Sequence, residues 1–517
     1  MPTPPDCTIY GVGSETPQRI ARFGENPFGV SSLTKGQDLR TQAERDCDRI
    51  LYSWQWRRLA GVTQVTSPFD DGLLIHNRLT HSEKVAQVAR SIAKKLLNEE
   101  TNRELMTHFG GFSTYVCQSA AMAHDLGHPP FGHIGEEVLD RLARNELGLS
   151  DGFEGNAQTF RIVAIGRTRS MNSEGLDLTA TTLAAIAKYP WPRVLKLNDD
   201  HHDRQLKLDS TYRREWRKFN AYQPEVGLLL WSRAFVKNLA PKTQTLEASV
   251  MDVADDISYA VHDLEDFYFA GLLDVPALIE DLTKVKDGKA SGTPFYELSN
   301  KLELDYAGYF QSTEFQDAAE QVAKNLSQGL KARQRGIGAT PRINEEYRQS
   351  QARATTSEMI GRYINAVVLS ENPLWPNGPH IGLKRPEWHQ VQLLKEIAKS
   401  YVITRTDIAL LQHGQQLILT NLVEMLNDWV KTDKERLPSR LLEEIQKAES
   451  QGEGYELEYY QRHEHGIVEI PTDYAPRGDP NRAILDYICS LTDAQCQALH
   501  HKLRGYQVHR VGFSFDS

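Results

Sequence analysis

Apolar residues recur at intervals of three and four along most of this chain, prolines fall between such runs, and strand-like alternation is rare. The pattern predicts an all-α fold. One helix is expected from Thr80, whose hydroxyl and Glu83 form a T-x-x-E capping box, with Val85, Val88, Ile92 and Leu96 as its buried stripe. A second is expected from Ser113 to Gly127, closed by that glycine and the Pro129-Pro130 pair, with His124 and Asp125 among its last residues. A third carries Leu246, Val250, Val253, Ile257, Val261 and Leu264 on one face and acids on the other; Asp252, Glu265 and Asp266 read as solvated. Polar stretches at Asn198 to Lys207 and Asp287 to Gly292, a basic one at Lys331 to Arg342, and a loop near Pro471 to Pro480 interrupt the helices. The first residues, rich in Pro, Gly and polar side chains, read as an irregular arm.

Length and charge narrow the picture. A chain of 517 residues can bury a large core without disulfide staples. Lys and Arg total 59 against 69 Asp and Glu, a formal charge of -10, the wrong sign for a surface that binds nucleic acid or anionic membrane throughout. Any polyanion must therefore meet a local cationic pocket. The five cysteines, Cys7, Cys47, Cys117, Cys489 and Cys496, form no C-x-x-C pair, which argues against a disulfide framework and a thiolate zinc site. With neither a signal-peptide pattern nor an apolar run of about 18 residues, the expected location is the cytoplasm, off the membrane.

The segment His124-Asp125-Leu126-Gly127-His128-Pro129-Pro130-Phe131-Gly132-His133, followed by Glu136, concentrates three of the chain's 17 histidines. Imidazole nitrogen with carboxylate oxygen makes a borderline-hard donor set, suited to a divalent cation such as Mg, Mn, Co, Ni or Fe. His133 and Glu136, three apart, can meet on one helical face.

Three motifs carry a resemblance: N-R-L-T-H ending at His81, the long H-D-L-G-H-P-P-F-G-H form, and the A-D-D-I-S-Y-x-x-H-D-L-E-D run from Ala254 to Asp266. Together they resemble the HD-domain phosphohydrolases and, within them, the bacterial deoxyguanosine triphosphate triphosphohydrolases. The D-Y-I-C-S-L-T-D run from Asp486 to Asp493 is similar to that family's C-terminal motif. The resemblance implies an arm over 1–44, an HD catalytic core over 45–270, and a helical region over 271–517 that completes the site and makes oligomer contacts.

It further implies metal ligands His81, His124, Asp125 and one aspartate of the third helix, where Asp255 fits the Asp255, Tyr259, Asp263 stripe better than Asp256 does. His133 and Glu136 then resemble a catalytic pair, in which the carboxylate orients the imidazole for proton transfer. Arg78, Lys188 and Lys218 match phosphate contacts, Arg353 more weakly. Gln64 and Asn156 look like sugar and nucleotide contacts, and Tyr259 resembles a residue set against the deoxyribose. For His128 the motif leaves two places open, against phosphate or against the catalytic pair.

The expected activity is metal-dependent conversion of dGTP, or of other deoxynucleoside triphosphates, to deoxynucleoside and tripolyphosphate. The alternatives are another HD-type nucleotide phosphohydrolase, such as a nucleotidase or phosphodiesterase, and a nucleotide-sensing or nucleic-acid-binding regulator. Family members form homo-oligomers, often hexamers. Regulation by nucleotides or single-stranded DNA, base preference and the native metal are left open by the sequence.

Overall fold

The computed structural model describes residues 11–13, 16–22, 39–64, 76–166, 175–194, 202, 206, 209–270, 272–329, 341–403, 406–454 and 479–506. Most of the arm, nearly all of the polar stretch 198–207, the basic stretch 331–340 and the loop 471–478 lie outside them. The described residues are mainly helical, as the three-and-four periodicity predicts. Strand is confined to two short antiparallel pairs, Gly11–Val12 with Phe112–Ser113 and Val367–Leu369 with Ile381–Leu383. No helix among the described residues is long and apolar enough to cross a membrane.

Four helices frame the site: Arg78–Asn98, Thr114–Ala123, Leu246–Phe269 and Arg385–Ala398. The first three pack on one another, and the fourth lies against Leu246–Phe269. Val85, Val88, Ile92 and Leu96 are buried as expected, each contributing roughly 1.5–3 kcal/mol as an upper bound. The N-terminus of that helix differs from expectation. Asn77 is its cap, and its Oδ1 accepts from the Thr80 amide at 3.0 Å, while the Thr80 hydroxyl turns back to the Asn77 carbonyl. Asparagine satisfies an orphan amide as well as threonine does, so the helix starts earlier and takes in Arg78 as its first residue. Arg78 and His81, three apart, then share a face.

The second helix stops at Ala123, four residues before the expected glycine, and His124 caps it. Tight turns carry the chain onward through Leu126, His128 and Gly132, whose amides donate to the carbonyls of Ala123, Asp125 and Pro129. Gly127 has a different purpose from helix termination. A β-carbon there would lie 2.1 Å from the Thr159 nitrogen, so its absence lets the turn seat against the Gly155–Ile165 helix. The Thr159 hydroxyl fastens the contact, accepting from the Gly127 amide at 2.9 Å and donating to the His124 carbonyl at 3.1 Å.

Two hydrophobic clusters organise the interior. The larger gathers the four framing helices and extends to Ile408. The smaller joins Phe131 and the inner face of helix His133–Asn145 to apolar residues of Thr406–Thr432, Ser439–Gly454, Pro480–Cys489 and Asp493–Leu503. The end of the described chain thus packs behind the catalytic-looking turn.

Candidate active site

Three helices and one turn converge on a buried group of imidazoles and carboxylates. His81 projects from the first framing helix, His124 and Asp125 from the end of the second, and Asp255 from the middle of Leu246–Phe269. His81 Nε2 stands 3.2 Å from Asp255 Oδ1; His124 Nε2 stands 3.6 Å from that oxygen and 3.4 Å from Asp125 Oδ1. Donor atoms of His81, His124 and Asp125 all lie within 4.8 Å of one another, a group that could hold a metal ion. The His124 ring is aimed for this. Its Nδ1 donates to the Ala121 carbonyl at 2.7 Å, which leaves the Nε2 lone pair inward, buried and without a hydrogen bond among the described residues. Two imidazoles and two carboxylates with no thiolate fit a divalent cation of the borderline-to-hard kind.

Electrostatics keep these acids ionised. Burial opposes ionisation of Asp125, yet His124, His128 and Arg78 outweigh it and hold the carboxyl well below its usual range. Arg78 Nη1 donates to Asp125 Oδ2 at 2.7 Å and its Nε donates to the Thr63 carbonyl at 3.1 Å, while Nη2 is buried without a partner. Asp255 is likewise depressed: burial works against it, and Lys188, His124 and His81 prevail.

A second group adjoins the first through His128, whose Nδ1 is 3.0 Å from Asp125 Oδ1 and whose Nε2 is 3.9 Å from Glu136 Oε1. His133 opens the helix His133–Asn145, and its Nδ1 meets Glu136 Oε2 at 2.9 Å. The other Glu136 oxygen accepts from the Gly155 amide at 2.9 Å. Gly155 is needed for that approach, since a β-carbon there would lie 2.4 Å from Glu136 Oε1. Burial would raise the Glu136 carboxyl, but Lys218, His128 and His133 hold it well below its usual range. The turn leading to this pair is strained, with Phe131 at a φ of 67° followed by Gly132 at 61°. A non-glycine residue there costs on the order of 1–3 kcal/mol. Asp493 offsets it from far along the chain, accepting from the Phe131 amide at 2.9 Å and from the Thr63 amide at 3.0 Å.

With the geometry in place, likeness to known proteins is informative. The HD domain family model matches residues 78–260, the span from Arg78 to just beyond Tyr259. A deoxyguanosinetriphosphate triphosphohydrolase-like protein of Streptomyces coelicolor is 29% identical over 95% of this chain and 97% of its own. One of Corynebacterium efficiens is 32% identical over 76% of this chain and 82% of its own, and one of Vibrio cholerae serotype O1 is 30% identical over 75% and 78%. The chain belongs to this HD-domain family.

The remaining residues that the sequence resemblance singles out fall at different distances from the centre. Lys188 Nζ bonds Asp255 Oδ2 at 3.0 Å and pairs with Asp252 Oδ1 at 2.7 Å, so it lies beside the first group, tied to carboxylates. Lys218 and Asn156 meet on the other side, both donating to Glu154 Oε1 at 2.8 Å, with Lys218 3.9 Å from Glu136. Gln64 is buried next to Thr63, with its Oε1 unpartnered among the described residues. Tyr259 is half-buried against the core, and Asp263 is buried with Oδ2 unpartnered; burial, then Asp266 and Asp255, push its carboxyl well above the usual range. Arg353 is exposed on Pro341–Ala366, and its side chain makes no ion pair or hydrogen bond among the described residues.

Two expectations about the acidic face need correcting. Asp252 accepts from Gln244 Nε2 at 2.7 Å besides pairing with Lys188, and Asp266 is buried, accepting from both the amide and Nδ1 of His76. The face turns toward neighbouring loops instead of solvent. Asp256 pairs with Lys395 at 2.6 Å, away from the imidazoles. His262 stands in the motif quoted from the sequence but received no role there, and Thr159, Glu154 and His76 are the residues that sequence reasoning missed. Of these three, Glu154 left a signal, an acid just before the G-N-A-Q helix start, where it caps the amides of Asn156 and Ala157.

Proposed function

We propose that this protein is a metal-dependent triphosphohydrolase that converts dGTP, or a related deoxynucleoside triphosphate, and water into deoxynucleoside and tripolyphosphate. The observation that carries the reading is the contiguity of the two groups. His81, His124, Asp125 and Asp255 form a cation-ready cage, His133 and Glu136 form an acid-base pair, and His128 lies between them. A divalent cation held by the four cage residues would act as a Lewis acid toward phosphate oxygens and make water more acidic.

The chain's own groups supply the remainder. Arg78, fixed by Asp125 and Thr63, presents its unpartnered Nη2 to the phosphates, and Lys188 and Lys218 flank them once exchanged from their carboxylates. Attack of water at the α-phosphorus forms one P–O bond as the bond to the 5′-oxygen breaks. His133, held at Nδ1 by Glu136, delivers a proton from Nε2 to that departing oxygen. Its ring is open to incoming substrate, with 61% of the side chain in solvent. Tyr259 and Asp263, one and two helical turns beyond Asp255, receive the sugar, with Gln64 and Asn156 at its margins. A ring packed against C2′ leaves an extra hydroxyl neither room nor partner, which favours deoxyribose.

End-point analysis of the phosphate released from dGTP and GTP tests this. Tripolyphosphate formed in preference from dGTP supports the reading; orthophosphate or pyrophosphate as first product, or equal cleavage of GTP, refutes it.

A further inference from the structure

Asn220 stands two residues beyond Lys218, is fully buried, and commits both polar atoms of its side chain to the backbone of neighbouring segments. Its Oδ1 accepts from the Tyr189 amide at 2.6 Å, and its Nδ2 donates to the carbonyls of Asn156 at 3.1 Å and Ile186 at 3.4 Å. The facing groups fix the orientation of the carboxamide: one donor meets the oxygen and two acceptors meet the nitrogen. Its own backbone amide donates to the Trp191 carbonyl at 3.1 Å.

These four bonds join three segments that carry Lys188, Lys218 and Asn156. The stretch from Ile186 to Trp191 leaves the helix Ala180–Ile186 and holds Lys188 just before Pro190. Its internal bonds are two tight turns, from the Lys188 amide to the Ile186 carbonyl at 2.9 Å and from the Trp191 amide to the Tyr189 carbonyl at 2.6 Å. Asn156 lies in the first turn of Gly155–Ile165, and Lys218 caps the end of the helix Ser210–Arg217. Trp191 returns the tie, its Nε1 donating to the Lys218 carbonyl at 2.8 Å. Ala157, Trp191, Phe219 and Tyr222, with Tyr189 packed against them, form a small apolar cluster of their own around this junction.

The consequence concerns the spacing of two charges. Lys188 leans toward the cage, on Asp252 and Asp255, and Lys218 leans toward the acid-base pair, on Glu154. Coming from different segments, the two ammonium groups have a defined separation only if their backbones do. Gln244 Nε2 also reaches the Lys188 carbonyl, at 2.9 Å, but it relates Lys188 to Asp252 on the cage helix and not to Lys218. Asn220 and Trp191 make the connection between the two lysine-bearing segments.

We propose that Asn220 is a positioning residue that fixes the spacing of Lys188 and Lys218 and thereby selects a chain of three phosphates over a single one. The inference rests on the reading above in which both lysines flank the phosphate tail. A single phosphate can be held by one lysine, whereas a longer tail gains from both only where they are fixed at a matching distance before it arrives.

Isothermal titration calorimetry of the metal-loaded full chain, with free metal held constant, compares tripolyphosphate with orthophosphate. Wild type should prefer tripolyphosphate by tenfold or more. Asn220→Ala should weaken tripolyphosphate at least tenfold and orthophosphate less than twofold, with metal content unchanged. Trp191→Phe keeps a ring in the apolar cluster and removes the bond to the Lys218 carbonyl; it should shift the ratio the same way by a smaller factor, and covers the case in which Asn220→Ala does not fold. A purely structural role would weaken both anions alike. Equal loss for the two anions, or an unchanged ratio in every variant that folds, overturns the inference and leaves the phosphate role of the lysines standing. A wild type that binds the two anions equally overturns that role, and the inference with it.

Discussion

His81, His124 and Asp125 are each no more than 5% exposed, whereas His133 has 61% of its side chain in solvent, although the two groups are neighbours. The first half is assembled from packed helices of the large core, with its donors oriented by Ala121, Arg78 and Lys188. The second rests on one carboxylate, a strained turn and a clamp from Asp493. The contrast fits the work that the proposed function assigns to each. A cation cage needs fixed distances, and proton delivery needs a ring that a substrate can reach.

The largest expected effect breaks the rigid half. Asp255→Ala should remove bound metal and abolish turnover, while Asp256→Ala, whose carboxylate pairs with Lys395 outside the cage, should retain most of the metal. Elemental analysis of the purified variants decides it; the reverse pattern would move the fourth ligand to Asp256. In the open half, His133→Ala should lower kcat by about 10² to 10⁴ with metal content unchanged. A steady-state assay showing near-normal kcat would reduce the pair to a structural contact.

A smaller effect tests the clamp between the halves. Asp493→Ala leaves the Phe131 and Thr63 amides unpaired in a buried place and should destabilise the fold by roughly 1–3 kcal/mol, with metal still bound. Urea unfolding measures the loss, and stability equal to wild type would mean the strained turn is held by Phe131 packing alone.

The smallest concerns pH. His262 lies behind the cage on the same helix as Asp255, and burial, aided by Lys84, His81 and His76, lowers its pKa to about 2. The unfolded chain takes up that proton near pH 6.5 and the folded chain does not. Its stabilising effect is therefore complete above pH 6.5 and declines as pH falls, by about 2 kcal/mol at pH 5. His262→Gln should flatten the decline in unfolding free energy between pH 7 and 5; an unchanged slope would place the acid sensitivity in other groups.

What was legible in the sequence follows the same divide. Helical periodicity exposed the framing helices, and adjacency made His124-Asp125 and the His133–Glu136 spacing visible, because both are local in the chain. Helix ends were less legible. Asn77 outcompeted Thr80 as a cap, and the turn after Ala123 is stabilised by Thr159 on another helix, which no local rule reveals. Partners far apart in sequence were invisible for the same reason: the acids at 252 and 266 read as solvated because Gln244, Lys188 and His76 lie on other segments.

Asp493 joins residues separated by 430 positions, from Thr63 near the start of the described core to the beginning of the last described helix. On a ribosome adding about 5–20 residues per second, that interval lasts roughly 20 to 90 s. Once Asp255 has emerged, the nascent chain carries all four residues of the proposed cage but still lacks the carboxylate that secures the turn ahead of His133. The order of synthesis therefore separates the two halves in time: an emerging chain carries the four proposed cage residues before it gains the carboxylate that clamps the turn ahead of His133, and a chain cut short before Asp493 never gains the clamp.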